Sequence, residues 1–369
     1  MKFNLPDSYK PYIDKYFLRA KEVLEKDNLN PVVKAQVFLR QIPDKRVYGI
    51  NEAIAILTKY SDIEKTGHIS AIEEGTLMKD NTTVMNIEAP IQSIIDLETM
   101  YLGVLSSEST LKNGIGDINL KDIETRMSQV VFEATGRPVS YFGARHWRYD
   151  RDYDIAKTCK AAGATNCSTD EGARAWGEEA KGIGTIPHAL EAIYHWKYGL
   201  KKAVVEATKA FDKHMDPSIP RIALIDYANR EITDTVLTIT EIPHLYGIRI
   251  DTCGENYMQG NFASAQEDEE VLYSFNKGVS ILGTAIMHEI LKTEGKYKLI
   301  LSSGFGKYAK VQAFIEAEKE MGYQIFDGLG VGGVFDSRMA TMDIIEVDGQ
   351  TIHKVGRVPK VNERLKKVI

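Results

Sequence analysis

Several apolar runs in the second half of the chain stop on residues that can do chemistry. Arg221-Ile-Ala-Leu-Ile-Asp226 and Gly247-Ile-Arg-Ile-Asp251 each stop on a carboxylate. Lys298-Leu-Ile-Leu-Ser-Ser-Gly304 stops on Ser303 and Gly304, and the run from Gln324 stops on an Asp followed by Gly330 and Gly332. Carboxylates at strand ends accept from hydroxyls or from a hydrated cation. Gly- and Ser-containing turns expose backbone N–H groups to a phosphate. Upstream, Pro138 to Leu190 holds three more polar loops: Arg145 with Arg148, Thr169, and Gly184-Thr185 leading to His188. Arginines of this kind clamp anions. Each feature has a plainer role: an Asp at a strand end also caps helices, and His188 can be a first-turn residue after Pro187. The repetition of one logic at several strand ends is what suits a sugar phosphate.

The elements that must position these residues follow from periodicity. Over the first hundred residues, helix-like patterns (residues 12–29 and 51–60, and the apolar stretch 91–106) mix with strand-like text at 34–40 and 69–87. Asp7 or Ser8 is placed to cap the first helix. No βαβ rhythm is present, which predicts an α+β unit over 1–116. After Lys112-Asn-Gly-Ile-Gly-Asp117 the rhythm changes. Helix patterns recur around 120–135, 150–162, 170–177, 188–196, 201–214, 231–241, 268–293 and 307–321. Short strands between them, at 139–142, 221–225, 247–250, 298–301 and 324–326, predict a parallel α/β sheet over 117–340. From Thr341 the text alternates again around Asp348-Gly349, predicting a hairpin within 341–369 that rejoins the first unit. The expected class is therefore α/β: an α+β domain, an incomplete TIM-like barrel, and returning C-terminal strands.

Composition narrows the function classes. With 43% apolar and 27% charged residues the 369-residue chain reads as globular. A net charge of −6 argues against nucleic-acid binding. Three cysteines without a CxxC pattern suggest reduced thiols, and neither a signal pattern nor a bilayer-length apolar run is present, so a cytoplasmic protein with no membrane partner is expected.

Motif order then adds a resemblance. Asp14-Lys-Tyr-Phe-Leu-Arg19, Ile87-Glu-Ala-Pro90, Glu98-Thr-Met-Tyr-Leu-Gly103, Phe142-Gly-Ala-Arg145, Gly184-Thr-Ile-Pro-His-Ala189 and Gly247-Ile-Arg-Ile-Asp251 occur in series. They resemble, in order, segments of the nicotinate phosphoribosyltransferase family in its shorter archaeal-like form; Gly184 to Ala189 is the most specific match. The resemblance implies a type II phosphoribosyltransferase fold and a homodimer or higher homo-oligomer. It implies transfer of phosphoribose from PRPP to nicotinate, with Mg²⁺ as cofactor, and ATP in members that phosphorylate the family histidine, here His188. Quinolinate, nicotinamide or a non-catalytic nucleotide-binding role are the alternatives. Catalytic roles fall to His188, Asp226 and Asp251. Base and substrate contacts fall to Tyr16 (stacking across a dimer), Arg145, Arg148, Thr169, Gly184 and Thr185. Phosphate contacts fall to Ser303, Gly304, Gly330 and Gly332, and the metal ligands stay unassigned. His146 stands where the family has a second arginine, and Asp170-Glu171 where it has apolar residues. Carboxylates that near a base pocket would disfavour an anionic pyridine.

Overall fold

A computed structural model describes residues 3–41, 44–260, 277–293 and 297–369. Its strands are β1 (Val32–Leu39), β2 (Lys45–Val47), β3 (His68–Ala71), β4 (Thr76–Met78), β5 (Thr83–Pro90), β6 (Val139–Tyr141) and β7 (Asn166–Cys167). They continue with β8 (Ile222–Leu224), β9 (Gly247–Ile250), β10 (Lys298–Leu301), β11 (Gly328–Val331), β12 (Ala340–Val347), β13 (Gln350–Thr351) and β14 (Lys366–Lys367). Two six-stranded sheets result, with β2 and β4 as a separate ribbon.

The first sheet has the order β13-β12-β1-β5-β3-β14 and every pairing in it is antiparallel. β1 is central, between β5 and β12, so its inner residues are buried on both faces rather than alternating. The hairpin at Asp348-Gly349 has positive φ at both residues (45° and 75°), the backbone that a two-residue hairpin needs. The C-terminal strands pair with β1 and β3, 300 residues away in sequence, because β12 offers an alternating buried pattern that covers β1.

Helix Lys15–Lys26 starts after a bridge between Asp14 and Thr169 and a bond from Lys15 N–H to the Ser168 carbonyl at 2.7 Å. The predicted single helix over 12–29 is therefore a 3₁₀ turn at Lys10–Tyr12, an extended break, then the helix, and Asp14 rather than Asp7 or Ser8 precedes it. The break docks the first unit on the second. Phe17, Ala20, Val23 and Leu24 form the buried stripe, and each large apolar side chain so buried contributes about 1.5–3 kcal/mol. The apolar stretch 91–106 divides into Ile91–Ile94, a 3₁₀ turn at Ile95–Leu97 and helix Glu98–Lys112, whose residues are buried nearly all round. A Cβ on Gly103 would stand 2.2 Å from the Trp147 carbonyl, so glycine lets the loop after β6 rest on this helix.

The second sheet is wholly parallel, with the order β7-β6-β11-β10-β9-β8. Strands β8 to β11 run in sequence order and then join β6 and β7, so the barrel is open between β7 and β8. The strand predicted at 324–326 lies instead at 328–331: the glycines are the strand itself, and the turn is Gly332-Gly333. Asp327 thus precedes β11 and pairs with Lys298 (2.9 Å) and the Leu299 N–H (2.9 Å) at the end of the strands away from the polar loops. Of the helix predicted at 268–293, Ile281–Lys292 is observed and 268–276 lies outside the described residues.

Candidate functional site

The loops that follow β6, β9, β10 and β11 open on one cavity of about 270 Å³. Parallel strands put their C-terminal ends, and the N–H-rich turns behind them, on a single side. The far wall comes from the first unit of the same chain: Tyr16, Arg40 at the end of β1, Thr341 to Asp343 of β12, and Lys354 and Arg357 beyond the hairpin. Tyr16 lines the cavity of its own chain.

Of the residues singled out above, Tyr16, Arg145, Gly184, Thr185, His188, Asp251, Ser303, Gly304, Gly330 and Gly332 all line this cavity. Two of the glycines are there because nothing larger fits. A Cβ on Gly330 would stand 2.6 Å from the Phe142 ring, and one on Gly184 would stand 2.8 Å from the Tyr16 nitrogen. Ser303 (φ 68°) and Gly304 (φ 83°) make the sharp left-handed turn that leaves β10.

Three of the residues do not reach it. Arg148 turns away into an ion-pair cluster with Glu52 (2.9 Å) and Glu108 (3.2 Å) on neighbouring helices. Its charge is spent joining the loop to the first unit. Thr169 is buried and its hydroxyl accepts from the Gly172 N–H at 2.9 Å, capping the short helix Asp170–Ala173. Asp226 is fully buried behind the wall, where it holds His188 rather than the cavity itself. The acidic pair that departs from the family pattern is also elsewhere: Asp170 binds Lys15 (2.6 Å) and the Gly182 N–H (2.9 Å), and Glu171 binds Arg174 (2.6 Å). Neither lines the cavity, so the expected penalty on an anionic pyridine does not arise from them.

The cavity is strongly and reciprocally charged. Arg145 Nη1 meets the buried Glu98 at 2.6 Å, with Asp14 at 3.7 Å from Nε. Burial pushes the Glu98 carboxyl up to about 7, with Arg145 opposing. Arg249 points inward from β9. It donates to Ser302 Oγ (2.9 Å) and Thr185 Oγ1 (3.1 Å), pairs with Asp251 (3.2 Å) and lies over the Phe142 ring (5.5 Å). Asp251 in turn accepts from Ser302 at 2.6 Å. Lys354, from the segment after β13, ion-pairs with Asp226, and its Nζ lies 3.1 Å from His188 Nε2. Burial and the Lys354 charge depress the His188 pKa, so the imidazole is neutral at pH 7. Burial opposes the Asp226 charge, but Lys354 and His188 hold its carboxyl well below the usual range. His146 is pushed down to about 4 by burial and by Arg145, so it adds no charge where the family has an arginine.

Sequence reading missed Arg249, Glu98, Arg40, Lys354 and Arg357. Arg249 and Glu98 did carry a signal: each is a charge inside an otherwise apolar run. Lys354 carried none, since only the fold-back of the C-terminal segment brings it and Arg357 to the barrel. Val355 N–H bonds the Tyr227 carbonyl at 3.0 Å and Asn256 bonds the Val355 carbonyl at 3.1 Å, and these contacts hold that segment in place.

Comparison with known proteins agrees with this architecture. Residues 14–109 match the profile of the family described as quinolinate phosphoribosyl transferase, N-terminal domain. A curated nicotinate phosphoribosyltransferase of Mycobacterium tuberculosis is 24% identical over 208 residues, 48% of this chain and 42% of that protein, so the chain spans under half the length of the relative it matches. A Saccharomyces cerevisiae structure provisionally named as a nicotinate phosphoribosyltransferase superposes with a TM-score of 0.67 at 16% identity, over 98% of this chain and 97% of that one. A nicotinate phosphoribosyltransferase from Vibrio cholerae gives 0.65 at 13% identity, over 94% and 88%. The chain thus shares its fold with nicotinate phosphoribosyltransferase structures, and its residues 14–109 are similar to the N-terminal domain of the quinolinate phosphoribosyl transferases.

Proposed function

We propose that the protein transfers phosphoribose from PRPP to the ring nitrogen of nicotinate, giving nicotinate mononucleotide and pyrophosphate in NAD salvage. The observation that carries this reading is the single cavity walled by Arg40, Arg145, Arg249, Lys354 and Arg357 and floored by the Ser303-Gly304 turn. A polyanion with a phosphate monoester at one end suits that wall and that turn.

The reaction breaks the bond from the anomeric carbon to the pyrophosphate oxygen, which leaves with the electron pair. The pyridine nitrogen then bonds the same carbon through an oxocarbenium-like state. No covalent nucleophile is required, so positioning and electrostatics do most of the work. Asp251, fixed by Ser302 and Arg249, is the carboxylate at hand for the ribose hydroxyls and for positive charge at the anomeric carbon. Arg145 supplies the cation for the pyridine carboxylate, and Tyr16 supplies a ring beside it.

Among the described residues no cluster of three or more His, Cys, Asp or Glu is arranged to hold a metal. Asp251 and Asp343 at the cavity wall fit a Mg²⁺ that takes most of its oxygens from the substrate's phosphates. When bound, the ion neutralises charge on the departing pyrophosphate. ATP coupling through His188 belongs to the same reading. Its side chain is 30% exposed at the cavity, with Nε2 on Asp226, which leaves Nδ1 as the nitrogen for a phosphoryl group.

Two carboxylates, Glu98 and Asp14, already face Arg145, which favours a base with one carboxylate over quinolinate with two. The three free cysteines are all buried, in keeping with a cytoplasmic setting, and no described helix is long and apolar enough to cross a membrane. A homo-oligomer remains part of the proposal. The test is pyrophosphate release from PRPP with nicotinate, quinolinate and nicotinamide supplied separately. Turnover with nicotinate alone is expected. PRPP binding without turnover on any base would instead leave the non-catalytic nucleotide-binding relative.

A further inference from the structure

Lys310 lies in the first turn of helix Tyr308–Met321, just after the turn that leaves β10. The residue is only 7% exposed, and its Nζ donates to the Ser303 carbonyl at 3.1 Å. The ammonium also faces the Phe305 ring at 4.4 Å. Among the described residues no carboxylate forms an ion pair with it; the charge it feels is Asp251, which Arg249 and Ser302 already hold. Burial accordingly depresses its pKa to about 8. A buried ammonium without a counter-ion is costly, and an apolar side chain of the same length would fill the space more cheaply.

The peptide geometry shows what the lysine does there. In a trans peptide the carbonyl of one residue and the N–H of the next point to opposite sides. Lys310 holds the Ser303 carbonyl from the buried side, whereas Ser303 and Gly304 line the cavity. The Gly304 N–H is thereby directed away from the ammonium, toward the cavity. Positive φ at both residues is the backbone that permits this. An ideal Cβ at Gly304 would stand 3.6 Å from Lys310 Nζ, so the charge sits directly against the turn.

We propose that Lys310 is a positioning residue for the phosphate turn: it pins the Ser303–Gly304 peptide with its N–H outward and backs it with the positive charge that a bound phosphate monoester neutralises. The inference rests on the phosphoribosyl reading above and concerns the 5′-phosphate end of the substrate, not pyrophosphate.

Calorimetric titration of ribose 5-phosphate and of inorganic pyrophosphate, each into the unmodified protein, Lys310→Met and Lys310→Arg, tests it. The unmodified protein should bind both. Lys310→Met should lose about tenfold or more in affinity for ribose 5-phosphate, the size of a lost charge-assisted contact, with pyrophosphate within about twofold. Lys310→Arg should recover most of the loss. In turnover, Lys310→Met should raise KM for PRPP while kcat at saturation stays within a few-fold. Equal ribose 5-phosphate affinity in Lys310→Met, or equal loss of both ligands, overturns the role. Should Lys310→Met fail to fold, Lys310→Gln, which keeps a donor and drops the charge, carries the same comparison. Absence of binding by the unmodified protein to either ligand removes the phosphoribosyl reading, and the role of Lys310 with it.

Discussion

His188 Nε2 stands 3.0 Å from Asp226 Oδ1, and the Lys354 ammonium stands 3.1 Å from the same nitrogen while ion-pairing with the other carboxylate oxygen. A strand-end carboxylate of the barrel, a helix N-terminal histidine and a lysine from the C-terminal segment thus form one triad, with Asp226 and Lys354 buried and His188 open to the cavity. The segment that closes the first sheet also completes the barrel's site.

Lys354→Met should destabilise the protein by about 3–5 kcal/mol, because it strands a fully buried Asp226 carboxylate. Adding Asp226→Asn should recover most of that loss. Urea denaturation of the two single variants and the double variant checks this. Strict additivity of the two losses would mean that the residues do not act as a pair.

His188→Ala should abolish any stimulation by ATP while leaving PRPP binding in place, since Arg40, Arg249 and the Ser303-Gly304 turn are separate contacts. The assay is pyrophosphate release with and without ATP. No ATP effect on the unmodified protein would sink the phosphohistidine role for His188.

Asp251→Asn should cut kcat about a hundredfold or more, in the range of a lost transition-state contact, with the fold intact. Arg148→Met should do the reverse. Its guanidinium serves Glu52 and Glu108 away from the cavity, so kcat/KM should stay within about threefold while the melting temperature falls. A large activity loss in Arg148→Met at unchanged stability would return it to the site.

Glu255 predicts a pH dependence. Burial opposes its charge, but Arg40 and Arg357 hold its carboxyl at about 2, below its ordinary 4.5. A depressed folded value means that the stabilisation is present above about 4.5 and is lost as pH falls toward about 2. Glu255→Gln should therefore lower stability at neutral pH by a modest, salt-screened amount and converge on the unmodified protein at acid pH. Denaturation midpoints from pH 7 down to pH 3 are the measurement. Parallel curves for the two proteins would be false to this prediction.

How much of this was legible in the sequence follows from the range of the forces involved. Periodicity and strand-end residues placed β6, β8, β9 and β10, the Asp348-Gly349 hairpin and the strand-end residues Asp251, Ser303 and Gly304 at the cavity, because alternation, turn backbone and strand-end chemistry are written within a few residues of one another. The glycines of β11 read as a turn because small residues carry no apolar periodicity; only pairing with β6 and β10 makes them a strand. Arg145 and Arg148 look alike in one loop, yet Glu98 draws the first to the cavity and Glu52 draws the second away. Asp226 and Asp251 end similar strands, and only the fold-back of Lys354 buries one and leaves the other at the cavity wall. The amino-acid sequence by itself determined which elements form and which residue types stand at their ends. Which charges face the cavity, and which are spent on holding the units together, was decided by contacts between residues far apart in sequence, where burial makes an unpartnered charge costly.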